Sequence, residues 1–140
     1  MPQMIFVNLP VRDLPRSIAF YEAQGFSKND AFSDERAACI VVSQTIFLML
    51  LTHERFADFT PKAIPDAKVH AQMLLALSQD SREAVDAAVD RAVAAGGTAD
   101  PTPRQDYGFM YGRSFEDPDG HILEVMWMDP AAAADGPPQT

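Results

Sequence analysis

Along the chain, short apolar runs alternate with amphipathic stretches, and the alternation happens twice. The first run, Ile5-Phe6-Val7-Asn8-Leu9-Pro10-Val11, is rich in β-branched and aromatic residues and predicts a buried strand. Asp13 stands where a helix N-cap belongs. Leu14, Ile18 and Tyr21 follow at spacings of four and three, which sets them on one helical face, and Gly25 supplies the stop. Three strands are predicted next, over about 26–32, 36–43 and 45–52, with a tight connection at Gln44 between the last two. Residues 53–68 break the pattern: they hold two prolines, mixed charge and no clean period, and read as a linker with a short helix around Glu54 to Phe59.

The pattern restarts at Val69. A strand is predicted from there to Ser78, and Asp80 is placed as the cap of a helix, with Glu83 three residues on as in a capping box. Val85, Ala88, Ala92 and Ala95 supply the inner face of that helix, and Gly96-Gly97 ends it. Three further strands are predicted over about 98–104, 109–116 and 121–128, the last two joined by the turn Asp117-Pro118-Asp119-Gly120. The order βαβββ, linker, βαβββ predicts an α+β chain with one domain over residues 1–130. It holds a module at 4–53, a linker at 54–68, a second module at 69–129 and a flexible Ala/Gly/Pro tail at 131–140. One such unit cannot cover its own sheet face, whereas two cupped mixed sheets can share a pocket.

Composition narrows the function classes. With 140 residues and 47% apolar content the chain is long and apolar enough for a real core. Its 20 acidic against 11 basic residues give a net charge of −9, which argues against nucleic acid as a partner because phosphate binding needs clustered Lys and Arg. The same acidity could steer a cationic ligand inward. Cys39, the single cysteine, cannot form an internal disulfide and sits in an apolar run, where an inert buried thiol is expected. No apolar stretch approaches the roughly 20 residues of a membrane span, and no secretory signal pattern opens the chain, so the cytoplasm is the expected compartment.

Two motifs carry a resemblance. Leu9-Pro10-Val11-Arg12-Asp13-Leu14-Pro15-Arg16-Ser17-Ile18-Ala19-Phe20-Tyr21, completed by Gly25-Phe26, resembles the first strand and helix of the vicinal oxygen chelate superfamily. Phe115-Glu116-Asp117-Pro118-Asp119-Gly120-His121-Ile122-Leu123-Glu124 resembles its D-P-D-G turn and the Glu-bearing strand that follows. The resemblance covers about residues 4–129 and implies the glyoxalase/bleomycin resistance/dihydroxybiphenyl dioxygenase fold. The strings Met49-Leu50-Leu51, Gly108-Phe109-Met110-Tyr111-Gly112 and Val125-Met126-Trp127-Met128-Asp129-Pro130 look like those of lactoylglutathione-lyase-like proteins. The resemblance also implies a homodimer, a small-molecule ligand and a divalent metal held from the first and last strands of each half.

Placed by the motifs, the four metal slots fall on Phe6, Leu48, Leu74 and Glu124, so only Glu124 carries a donor and a bound metal is disfavoured. Asn8 and Gln72 share the pocket-facing parity of Phe6 and Leu74 and are polar alternatives two residues away; His70 shares that face. Glu124, on an apolar strand, is the candidate general base, or an anchor for a cationic or hydroxyl-bearing ligand. Tyr111 and Tyr107 are candidates for a pocket wall, while Phe109 and Phe115 read as core. His53 and His121 read as solvated or structural, and no catalytic elbow or phosphate-binding Gly loop is present. The reading that results is a glyoxalase-like protein acting on a small carbonyl or vicinal-oxygen compound, as a lyase, isomerase or dioxygenase, with most of its metal set lost. The alternative is a metal-free protein that binds and sequesters a small molecule, as bleomycin-resistance proteins do.

Overall fold

Each predicted half builds a sheet of its own. In the computed structural model, which describes residues 2–135, the chain divides into two units, Met1–His70 and Ala71–Thr140. The first contains β1 (Ile5–Val11), α1 (Leu14–Ala23), β2 (Ser27–Asn29), β3 (Ala37–Val41), β4 (Ile46–Thr52) and α2 (His53–Ala57). The second contains β5 (Leu75–Ser78), α3 (Arg82–Ala94), β6 (Thr98–Ala99), β7 (Gln105–Asp106), β8 (Met110–Glu116), β9 (Ile122–Met128) and α4 (Pro130–Asp135). The sheets run β1-β4-β3-β2 and β5-β9-β8-β6, with β7 also pairing β8. In each, the first and last strands of the module lie side by side and parallel, and the other pairs are antiparallel. The mixed α+β class and the repeated module order are therefore as the sequence predicts.

In the first unit Asp13 caps α1 by accepting from the Arg16 N–H at 3.1 Å. The helix lays Leu14, Phe20 and Tyr21 against β3 and β4, where Ala38, Ile40, Leu48 and Leu50 are buried along with Leu9 and Val11 of the neighbouring β1. Each large side chain sealed here contributes about 1.5–3 kcal/mol. In the second unit the cap is Ser81, not Asp80: its hydroxyl accepts from the Ala84 N–H at 3.0 Å, so the box with Glu83 does not form. At its far end α3 closes with Gly96 at φ +98°, and the Gly97 N–H returns to the Ala92 carbonyl at 2.8 Å. The Asp117 carboxylate organises the β8–β9 turn, accepting from the N–H groups of Asp119, Gly120 and His121 at 2.9–3.0 Å.

Three strands are shorter than predicted, each for a local reason. β2 stops at Asn29 because its side chain accepts from the Ala31 N–H and starts a 3-10 turn, Asp30–Phe32. The strand expected from Val69 begins only at Leu75, since Val69 and His70 both donate to the Asp66 carbonyl in a turn. β6 ends after Ala99, where Asp100 takes φ +50°. The expected flexible tail begins as helix α4, and residues 136–140 lie outside the described residues. Among the described residues no helix is long and apolar enough to cross a membrane.

Candidate functional site

Alternation along a strand gives each sheet a face covered by its helix and an open face. In the first unit Asn8 pairs with Met49, Met49 with Cys39, and Cys39 with Asn29, so these four side chains form one row across the open face. The next row holds Phe6, Phe47, Val41 and Ser27. Phe6 and Phe47 stack with ring centroids 4.7 Å apart and planes 10° from parallel. Asn29, Cys39 and Met49 of the first row and Phe6 and Phe47 of the second, together with Met4 and Phe32, line a cavity of about 430 Å³, within the range of small-molecule sites. Its lining is sulfur, phenyl ring and one amide, Asn29. Phe6 is 48% and Phe32 70% exposed, an apolar surface of the kind that marks a binding site. Cys39 is buried, as expected, and burial pushes its thiol pKa up, away from a reactive thiolate.

Glu124 lies on the open face of the second unit, half-buried, between Ala76 of β5 and Ser114 of β8. Ser114 is itself engaged, its hydroxyl 2.9 Å from that of Thr102. Among the described residues the Glu124 carboxylate has no hydrogen-bond or ion-pair partner. Ser78, Met126, Gly112 and Gln105 form the adjoining row. The carboxylate's setting is mixed, with Ser114, Ser78 and Gln105 beside the apolar Ala76 and Met126.

The tyrosines do not join Glu124. Tyr111 is buried on the α3 side of the sheet, the opposite face, and donates its hydroxyl to Asp86 Oδ1 at 2.7 Å. Tyr107 is 61% exposed in the β7–β8 turn. That turn meets β8 at Met110, four residues and so about 13 Å along the strand from Ser114. Tyr111 instead belongs to a network the sequence did not disclose. The Arg113 side chain, 7% exposed, donates to Asp100 at 2.7 and 3.0 Å and to Asp86 at 2.9 Å, while Arg82 lies over the Tyr111 ring and pairs with Asp106. The Tyr111 hydroxyl and the Arg113 guanidinium hold Asp86 below the ordinary carboxylate range, and Arg113 does the same for Asp100. Burial, and then the bond to Asp86, push the Tyr111 phenol up.

The other expected positions separate. Leu48 is 2% exposed and packs on the α1 side, in register with Ile40. Register makes Met49, not Leu48, the counterpart of Glu124: Met49 sits between Asn8 and Cys39 as Glu124 sits between Ala76 and Ser114. The uniform run Ile46-Phe47-Leu48-Met49-Leu50-Leu51 carries no alternation from which that parity could be read. Gln72, Leu74 and His70 are exposed and precede β5, outside any strand, so strand parity does not aim them at a site. Asn8 is exposed on the first unit's open face, its Nδ2 donating to the Phe6 carbonyl at 3.3 Å. The cavity residues Phe47, Met49, Phe32 and Asn29 were missed: pairing with β1 sets Phe47 and Met49 beside Phe6 and Asn8, and no local pattern marks Phe32 or Asn29.

The divalent metal implied by the resemblance finds a poor donor set. Phe6 is a stacked ring, Leu74 and Met49 are apolar, and Glu124 alone offers a hard oxygen. Among the described residues no three His, Cys, Asp or Glu side chains are grouped so as to hold a metal ion.

Comparison with known proteins agrees on the fold. A family model described as the glyoxalase/bleomycin resistance protein/dioxygenase superfamily matches residues 3–125. A hypothetical protein from S. aureus is 27% identical with a TM-score of 0.76, over 91% of this chain and 94% of that one. A glyoxalase/bleomycin resistance protein/dioxygenase family enzyme from Burkholderia phytofirmans is 23% identical, TM-score 0.73, over 91% and 99%. The fosfomycin resistance protein FosX from Listeria monocytogenes is 18% identical, TM-score 0.64, over 91% of each chain. No curated protein matches the chain. With both motifs, the repeated module order and a family match over nearly the whole chain, the protein belongs to the glyoxalase/bleomycin resistance protein/dioxygenase superfamily.

Proposed function

We propose that this chain is a small-molecule binding protein that holds a largely apolar, ring-bearing ligand on the open face of its first sheet, without a divalent metal. The observation that carries the reading is the cavity built on the Phe6–Phe47 stack. An aromatic pair offers a third ring an offset-stacked or edge-on partner, and apolar walls favour transfer out of water. A phenyl ring also stands at Phe6, where a metal-dependent relative would need a donor. The test is a titration with the neutral dye N-phenyl-1-naphthylamine, read by its fluorescence. One saturable site per chain is expected, unchanged by chelator or added zinc, and weakened about ten-fold in Phe47→Ala by loss of the ring contact. Absence of a saturable site, or binding that requires a divalent ion, would overturn it.

A second reading rests on Glu124, a half-buried carboxylate with no partner among the described residues. Such a group is available to take a proton from a small carbonyl compound, the lactoylglutathione-lyase-like chemistry of the resemblance. Under this reading Glu124→Gln abolishes turnover of a hemithioacetal; under the binding reading the same variant leaves dye affinity untouched.

A further inference from the structure

We infer that the first-unit cavity selects uncharged aromatic ligands that carry a hydrogen-bond acceptor, such as an aryl ketone, over pure hydrocarbons, and that Asn29 is the selecting residue. The inference deepens the binding reading and rests on it. Asn29 is the one side-chain amide in a lining otherwise made of phenyl rings, thioethers and a thiol. Its orientation follows from one bond: the Ala31 N–H donates to Asn29 Oδ1 at 3.1 Å, which assigns the other atom as Nδ2. Among the described residues Nδ2 donates to nothing. The Asn29 carbonyl is also engaged, accepting from the Ser33 hydroxyl at 2.7 Å, and that hydroxyl in turn accepts from the Cys39 N–H at 3.0 Å. The amide is thus held at the wall by its own turn and the neighbouring strand, with its donor hydrogens uncommitted. A ligand that covers the wall takes water away from that donor. If it brings no acceptor the donor is left unsatisfied, which costs binding; a carbonyl oxygen on the ring restores the bond. A cationic ligand gains nothing here, since no carboxylate lines the cavity.

The experiment compares 6-propionyl-2-(dimethylamino)naphthalene with its 6-propyl analogue, which lacks only the ketone, by fluorescence titration of the full chain. The wild-type protein is expected to bind the ketone about ten-fold more tightly. Asn29→Asp keeps the oxygen that accepts from Ala31 and removes the donor, so the turn survives and the ketone preference falls to near one. Equal affinities in the wild-type protein would sink the inference and leave the cavity reading standing. A preference that persists in Asn29→Asp would show that another group does the selecting. If neither probe binds, the cavity reading fails and this inference fails with it.

Discussion

The two sheets share an order of strands and differ in where they keep their chemistry. On the open faces, Asn8, Met49 and Cys39 of the first unit correspond to Ala76, Glu124 and Ser114 of the second. On the covered faces the contrast reverses. Aligned by their caps Asp13 and Ser81, the helices set Ile18 opposite Asp86, and the strand registers set Ala38 opposite Arg113. The first unit seals its helix with uncharged side chains and leaves an apolar cavity outside. The second seals its helix partly with an arginine and two aspartates and leaves a carboxylate outside. The module fixes which backbone positions face outward, and the residues at those positions set how polar each face is.

The largest expected effect tests the covered faces. Arg113→Ala leaves Asp86 and Asp100 without their guanidinium beside the buried Tyr111 ring. Both aspartates keep some solvent, so the low end for a broken buried pair applies, about 3 kcal/mol. Urea unfolding followed by Trp127, the single tryptophan and a reporter inside the second unit, measures it. Because the folded-state pKa values of Asp86 and Asp100 are depressed, their contribution is present above the ordinary carboxylate pKa of about 3.9. It is lost as pH falls through the lowered values, so the gap between wild type and variant should be full at pH 7 and shrink in acid below about pH 4. A loss under about 0.5 kcal/mol at pH 7 would place the network with ordinary surface charges and erase the contrast between the covered faces.

Next in size is an exchange across the open faces. Met49→Glu installs the second unit's carboxylate at the matching position in the first. A charge that must lose water when a ring covers it should weaken N-phenyl-1-naphthylamine binding more than about ten-fold. Glu124→Met, the reverse change, should leave dye affinity as it was. If the two variants behave alike, the faces are not the distinct surfaces their residues describe.

The limits of the sequence reading follow the same division. Helix α1 was legible because Asp13, the apolar spacing after it and Gly25 agree on one answer. The Asp117-Pro118-Asp119-Gly120 turn was legible because Asp and Gly at those positions leave the chain few alternatives. Parity on β4 was not: with six apolar residues in succession, only the partner strand says which side chains face the helix, and a slip of one exchanged Leu48 for Met49. Tyr111 was placed in a pocket because a tyrosine reads as amphipathic. Its acceptor, Asp86, lies 25 residues away on another element, a pairing that local pattern does not carry. The cavity escaped for a related reason: Phe6 reads as pocket-facing, but Phe47 and Phe32 join it only through strand pairing and a turn that local pattern does not carry.

The smallest effect concerns the helix caps on which the alignment of the two units depends. Asp80 and Ser81 both have the side chain for the role, and Glu83 favours Asp80 by the capping-box spacing. The observed cap is Ser81, because its hydroxyl meets the Ala84 N–H and its backbone is extended at φ −160° and ψ 165°, as a cap requires. Ser81→Ala should therefore cost about 1 kcal/mol, matching Asp13→Ala in the first unit, and Asp80→Ala should cost little. Trp127 again reads out the second-unit variants, and circular dichroism follows Asp13→Ala in the first. The reverse order, with Asp80→Ala the costlier change, would move the start of α3 by one residue. Ile18 would then correspond to Val85 instead of Asp86, and the opposition of hydrocarbon to ion pair on the covered faces would have to rest on Ala38 and Arg113 alone.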